Sequence, residues 1–231
     1  MNPPSNLVEQ ALSFEGWLLD FNGTLSDDEA MLQECYNKAL SALGKPLAPG
    51  EYLEVCGLSE YDLARTVLQR RGISEDHMQA FIQQVAGYYR EAALAQPPIT
   101  HASVKLIHTL LDQGFPIAIV TGTIRPMILP VLEAVGLQAL IPTLTTAEDT
   151  SAGKPNPEGF LRGAQILGIQ PARILAFEDS SDGMAAASAA GMQCVHIGGD
   201  TTALHAPSFD SFAQEALQHQ SMTSKDYPSG G

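Results

Sequence analysis

A chain of 231 residues that is 45% hydrophobic and 16% charged holds enough apolar material for a proper core, and its length suits a main domain carrying a smaller insertion; a largely disordered chain is excluded. Its 12 Lys and Arg against 26 Asp and Glu, a net charge of -14, exclude nucleic acid and anionic membranes as main partners, since neutralising phosphate chains requires clustered cations. Cys35, Cys56 and Cys194 are scattered and odd in number, which suggests buried free thiols rather than a disulfide framework or a zinc site.

Taken in chain order, the first ten residues lack the basic start and apolar stretch of a signal peptide, so a cytoplasmic location is expected. Residues 16–21 read as a strand buried on both faces, with Asp20 near its carboxyl end and Asn22 and Gly23 stopping it. Residues 26–96 then read as several helices with no buried strand between them. There, Ser26 with Glu29 and Ser59 with Asp62 fit capping boxes, and Met78, Phe81, Ile82, Val85 and Tyr89 keep helical spacing. Pro97 and Pro98 close the segment.

A helix over 102–113, with Val104, Ile107, Leu110 and Leu111 on one face, leads to a strand over 116–121 that Gly122 breaks. Asn156, Pro157 and Glu158 supply an N-cap, a first-turn proline and an early acid for a helix over 157–167. Two further strands, 173–177 and 193–197, end in Glu178 with Asp179 and in Gly198 with Gly199. The polar residues 221–231 read as a frayed, disordered tail. This alternation predicts an α/β fold: a doubly wound parallel sheet core over 1–25 and 97–220, with an inserted α-helical cap over 26–96.

Three of these strands place acids or hydroxyls at their carboxyl ends, where open parallel sheets bind ligands: Asp20, Thr121, and Glu178 with Asp179 and Asp182, with Lys154 arriving on a loop. So many carboxylates gathered together call for a cation, and hard oxygen donors suit magnesium. In order and spacing, the stretch from Asp20 to Leu25, the pair Thr121 and Gly122, the triplet Gly153, Lys154 and Pro155, and the stretch from Glu178 to Gly183 resemble the four motifs of the haloacid dehalogenase-like superfamily. The helical segment between the first and second motifs is similar to that of the branch containing β-phosphoglucomutase and phosphoglycolate phosphatase.

The resemblance implies a magnesium-dependent phosphatase of small phosphorylated metabolites, monomeric or weakly dimeric. Asp20 would attack phosphorus to form an aspartyl-phosphate. Thr121, with the N–H groups of Gly122 and Thr123, would bind the phosphoryl oxygens, and Lys154 would neutralise charge. Mg²⁺ would be held by Asp20, Asp179 and the main-chain carbonyl of Asn22, with Glu178 acting directly or through water and Asp182 orienting Lys154 or the metal's waters. Arg65 and Arg125 are placed where they could contact substrate.

The chain departs from this pattern at Asn22, where phosphatases of the superfamily usually carry an Asp that protonates the leaving group. An amide cannot give and retrieve a proton, so roughly 10²–10⁴-fold of rate should be missing. Three alternatives stand beside the phosphatase: a phosphoglucomutase-like phosphotransferase, a weakened phosphometabolite-binding protein, and a metal-free dehalogenase, which the pair Glu178 and Asp179 disfavours. Asn22 followed by Gly23 is also a deamidation-prone pair, since the Gly23 nitrogen is expected to be free to attack the amide.

Overall fold

The computed structural model describes residues 7–199 and 204–223. After a short helix α1 (Leu7–Leu12) the chain enters β1 (Gly16–Leu19). It then forms α2 (Glu29–Ala42), α3 (Glu60–Gln69) and α4 (Met78–Ala95), and returns through α5 (His101–Asp112) to β2 (Ile117–Val120). The second half runs α6 (Arg125–Ala134), β3 (Leu144–Thr145), α7 (Glu158–Leu167), β4 (Ile174–Glu178), α8 (Ser181–Ala189), β5 (Gln193–Ile197), β6 (His205–Ala206) and α9 (Phe209–Thr223). The first three residues of the expected tail thus end α9; the remainder of that tail, 224–231, lies outside the described residues.

Among the described residues the strands form one parallel sheet in the order β3-β2-β1-β4-β5-β6, the doubly wound α/β arrangement expected. The chain leaves β1 toward β2 and β3 and later crosses back to β4 on the other side, so the carboxyl end of β1 is the switch point at which such sheets bind ligands. Alternation along β1 distributes the core. Leu18 faces Phe160 and Ala164 of α7 and Ala186 and Ala187 of α8, while Trp17 and Leu19 join the larger cluster with Leu106, Ile107, Phe209 and Phe212. Trp17 anchors that side, its ring 5.2 Å from Phe115 and 5.1 Å from Phe177 and its indole N–H donating to the Ala11 carbonyl at 2.9 Å.

The three inserted helices share an apolar interior, including Tyr36, Leu40, Leu63, Val67, Phe81, Val85 and Tyr89, that is continuous with the larger core cluster. The start of α3 matches its expected cap, with Ser59 Oγ accepting from the Asp62 N–H at 3.2 Å. The start of α2 does not. Asp28 occupies the N-cap, and the Ser26 hydroxyl donates to Asp28 Oδ2 at 2.7 Å instead of capping the helix. For α7 the N-cap falls one residue later than read, at Pro157, although Asn156 Oδ1 accepts from the Glu158 N–H at 2.9 Å. Of the three free thiols only Cys35 is fully buried; Cys56 and Cys194 are half-buried.

Candidate active site

Strand register aligns the chemistry. Leu19 of β1 pairs with Ile119 of β2 and Phe177 of β4, so Asp20, Thr121 and Glu178 emerge together at one sheet edge, all buried. Lys154 comes in from the loop before α7 and bonds Asp20 Oδ1 at 2.5 Å; it also contacts Glu178 Oε1. Asp179 follows directly. Ligand oxygens of Asp20, Glu178 and Asp179 lie within 4.8 Å of one another.

Burial and mutual repulsion set the electrostatics. Burial raises the Asp20 pKa, opposed by Lys154; burial and then the Asp20 charge raise Glu178; the same two causes push Asp179 to about 6. Burial works against the Lys154 ammonium, but Asp20 and Glu178 outweigh it and its pKa rises. Three carboxylates against one ammonium leave an excess of negative charge in a buried, all-oxygen donor set, and a hard divalent cation fits it.

The turn after β1 holds this geometry. Gly23 sits at φ 72, and a Cβ there would lie 2.1 Å from Asp179 Oδ2, so only glycine lets the two strand ends approach. Its N–H is not free for attack on the preceding amide, because it donates to the Ser26 carbonyl at 2.8 Å. The Asn22 side chain is held at both ends: the Thr123 hydroxyl donates to Oδ1, and Nδ2 donates to Asp28 Oδ2 at 2.9 Å. That arrangement opposes the deamidation expected from sequence.

Thr121 and Thr123 are tied locally, with the Thr123 N–H donating to Thr121 Oγ1 at 3.1 Å. The other expected residues lie apart from the carboxylates. Arg65 pairs with Asp62 at 2.7 Å and reaches Glu75 at 3.6 Å. Arg125 pairs with Asp149 at 2.5 Å, and its N–H donates to Glu148. Asp182 is exposed, the groups on Lys154 are Asp20 and Glu178, and the residue capping α8 is Ser180, which accepts from the Gly183 N–H at 3.0 Å.

A cavity of about 50 Å³ is lined by Asp20, Asn22, Thr121, Gly122, Thr123, Lys154 and Asp179 and, from the inserted segment, by residues that include Glu29, Tyr52 and Glu60. A larger one, about 290 Å³, adjoins it across Thr121, Gly122 and Lys154; Ser59, Asp62 and Arg65 line that space, and Asp20 does not. Asp28, Glu29 and Glu60 were missed as site residues by sequence reasoning. The acidic run 27–29 directly after the first motif was the available signal, absorbed into a capping box that does not form.

A family model described as haloacid dehalogenase-like hydrolase matches residues 17–197. Validoxylamine A 7'-phosphate phosphatase of Streptomyces hygroscopicus subsp. limoneus is 31% identical over 184 residues, 78% of this chain and 84% of that protein. Hexitol phosphatase A of Escherichia coli K12 is 27% identical over 197 residues, 79% of this chain and 82% of that one. Among solved structures, that of CbbY from Rhodobacter sphaeroides in complex with phosphate has a TM-score of 0.75 at 21% identity, covering 86% of this chain and 96% of the other.

Proposed function

Because the chain belongs to the haloacid dehalogenase-like hydrolase family, we propose that it is a magnesium-dependent phosphatase of small phosphorylated metabolites with Asp20 as nucleophile. The observation that carries this reading is the convergence of Asp20, Lys154 and Asp179 beside Thr121 around one cavity, with Glu178 buried next to them and in contact with Lys154. Relatives named as phosphatases of validoxylamine A 7'-phosphate and of hexitols support a small phosphorylated substrate.

With Oδ1 of Asp20 held by Lys154, the second carboxylate oxygen attacks phosphorus and the bond to the leaving oxygen breaks, that oxygen taking its proton from water because Asn22 has none to give. Thr121 and the N–H of Gly122 steady the phosphoryl oxygens, joined by the Thr123 N–H if it turns from Thr121 Oγ1, and Lys154 offsets their charge. Asp20, Asp179 and the Asn22 carbonyl, with Glu178, would hold Mg²⁺, which when bound supplies the charge neutralisation that lets a carboxylate approach a phosphate. Water then cleaves the aspartyl-phosphate, releasing inorganic phosphate and restoring Asp20. The cavity of about 50 Å³ beside Asp20 adjoins the space of about 290 Å³ across Thr121, Gly122 and Lys154, where a leaving group would extend, and movement of the inserted helices as a cap would widen both.

Phosphate release from p-nitrophenyl phosphate tests the reading. Activity is expected with magnesium, to vanish with chelator, and to fall to background in Asp20→Asn, with calorimetry showing magnesium uptake by the wild type. Undiminished release by Asp20→Asn would overturn it. A second reading, a binding protein of weak turnover, is favoured by Asn22 alone and predicts tight phosphometabolite binding with negligible release.

A further inference from the structure

The cavity around Asp20 has two unlike walls. The core wall carries Lys154, Thr121, Asp20 and Asp179, whereas the wall contributed by the inserted segment carries two acids, Glu29 and Glu60, among Leu32, Tyr52, Gly57, Leu58 and Leu63. Among the described residues no Lys or Arg of that segment lines the cavity, and each is placed elsewhere. Arg65 is held by Asp62 and Glu75, and Arg70 and Arg71 by Glu51 and Glu54. Lys38 lies over the Tyr88 ring, Lys45 contacts the Arg71 carbonyl, and Arg90 lines a separate space beside Pro126.

The two acids are set in place by structure. Glu60 is 4% exposed; one of its carboxylate oxygens accepts from the buried Tyr36 hydroxyl, and its N–H donates to the Gly122 carbonyl at 2.8 Å, which ties the first turn of α3 to the phosphate-binding loop. Glu29 opens α2, half-buried, with no side-chain hydrogen bond or ion pair among the described residues. We propose that Glu29 and Glu60 determine specificity, selecting a leaving group that bears hydroxyl or ammonium donors and rejecting one that bears a carboxylate or a second phosphate. This rests on the phosphatase reading above.

The physical argument is one of matching. A carboxylate is an acceptor only, so the groups that satisfy it are O–H and N–H donors, and a cation does so most strongly. An anionic group brought against these two carboxyls finds no counter-charge on their wall: Lys154 bonds Asp20 and Glu178 and faces the phosphoryl group, and Arg65, which lines the adjoining space, is held by Asp62 and Glu75. Both acids are pushed up to about 7, Glu29 by burial and then by Asp28, Asp179 and Asp20, and Glu60 by burial, against the Tyr36 bond. Each is therefore short of positive partners, and above pH 7, where both are ionised acceptors, an ammonium or a row of hydroxyls would supply them.

The test compares three substrates with the phosphate on the same primary carbon: glucose 6-phosphate, glucosamine 6-phosphate and 6-phosphogluconate. In the wild type at pH 8, where both acids are ionised, kcat/KM for the first two is expected to exceed that for the third by about tenfold or more. Glu29→Gln and Glu60→Gln keep size and, at position 60, an acceptor for Tyr36; each is expected to narrow the gap by raising activity on 6-phosphogluconate. Equal or better turnover of 6-phosphogluconate by the wild type overturns the inference without relying on any variant, and so does a gap that neither substitution changes. Absence of phosphate release from all three and from p-nitrophenyl phosphate would instead overturn the phosphatase reading and this inference with it.

Discussion

At position 22 an amide stands against a carboxylate: Asn22 Nδ2 donates to Asp28 Oδ2, which also accepts from Ser26 and Tyr89. An Asp at this position would turn that bond into two facing carboxyls that must share a proton, so the new acid would hold its proton above the ordinary carboxylate range, as proton donation to a leaving group requires. Asn22→Asp is therefore expected to raise kcat on alkyl phosphates by roughly 10²–10⁴-fold and to change turnover of acetyl phosphate little, because a carboxylate leaving group needs no proton. Steady-state kinetics on both substrates check it, and equal gains on the two would show that position 22 does not limit proton transfer. The departure at Asn22 was legible from its distance to Asp20. Its partnership with Asp28 was not, because Ser26 and Glu29 fit a capping pattern while tertiary contacts with Tyr89 and Asn22 claimed Asp28 instead.

The turn between β1 and α2 works as a unit whose position depends on Gly23. An Ala there meets a doubly unfavourable site, a left-handed backbone at φ 72 and a Cβ 2.1 Å from Asp179 Oδ2, so Asp179 must leave its place beside Asp20. Gly50 has a similar φ of 78, but a Cβ there would meet nothing within 4 Å, which makes it the control for backbone strain alone. Gly23→Ala is expected to lower Tm and weaken magnesium uptake in calorimetry by about tenfold or more, whereas Gly50→Ala lowers Tm and leaves uptake unchanged. Equal magnesium affinity in the two variants would remove Asp179 from the ligand set. Elements of this kind divide by how much pattern they carry. The strand runs around 117–120 and 174–178 are continuous apolar stretches and were plain in sequence, but β3 and β6 span two residues each and leave no period to read. Helix α6 was hidden by Pro130, which argues against a helix interior although the buried Met127, Ile128, Val131 and Leu132 hold one in place.

For the molecule as a whole, the net charge of -14 tells little about the fold, but the burial of several acids makes stability depend on pH. Asp28 is pushed up to about 6 and Glu29 and Glu60 to about 7, burial being the first cause in each, while Asp179 near 6 adds to the set. For a raised acid the folded chain holds a proton that the unfolded chain has already released. Its contribution is thus complete below the unfolded values of 3.8 and 4.5 and is lost as pH climbs through 6 to 7. Glu51, drawn down to about 2 chiefly by its Arg71 bond, has the opposite sign but acts only below 4.5. Without metal, Tm is therefore expected to be higher at pH 5.5 than at pH 8. Magnesium should raise Tm more at pH 8 than at pH 5.5, because an ion among Asp20, Glu178 and Asp179 takes over the role of protons that are scarce at the higher pH. Differential scanning fluorimetry with chelator and with magnesium at both pH values measures this. A Tm that rises from pH 5.5 to pH 8 in chelator would show that the buried acids fold as ordinary carboxylates, and a magnesium shift larger at pH 5.5 would show that the ion does not replace protons in that cluster.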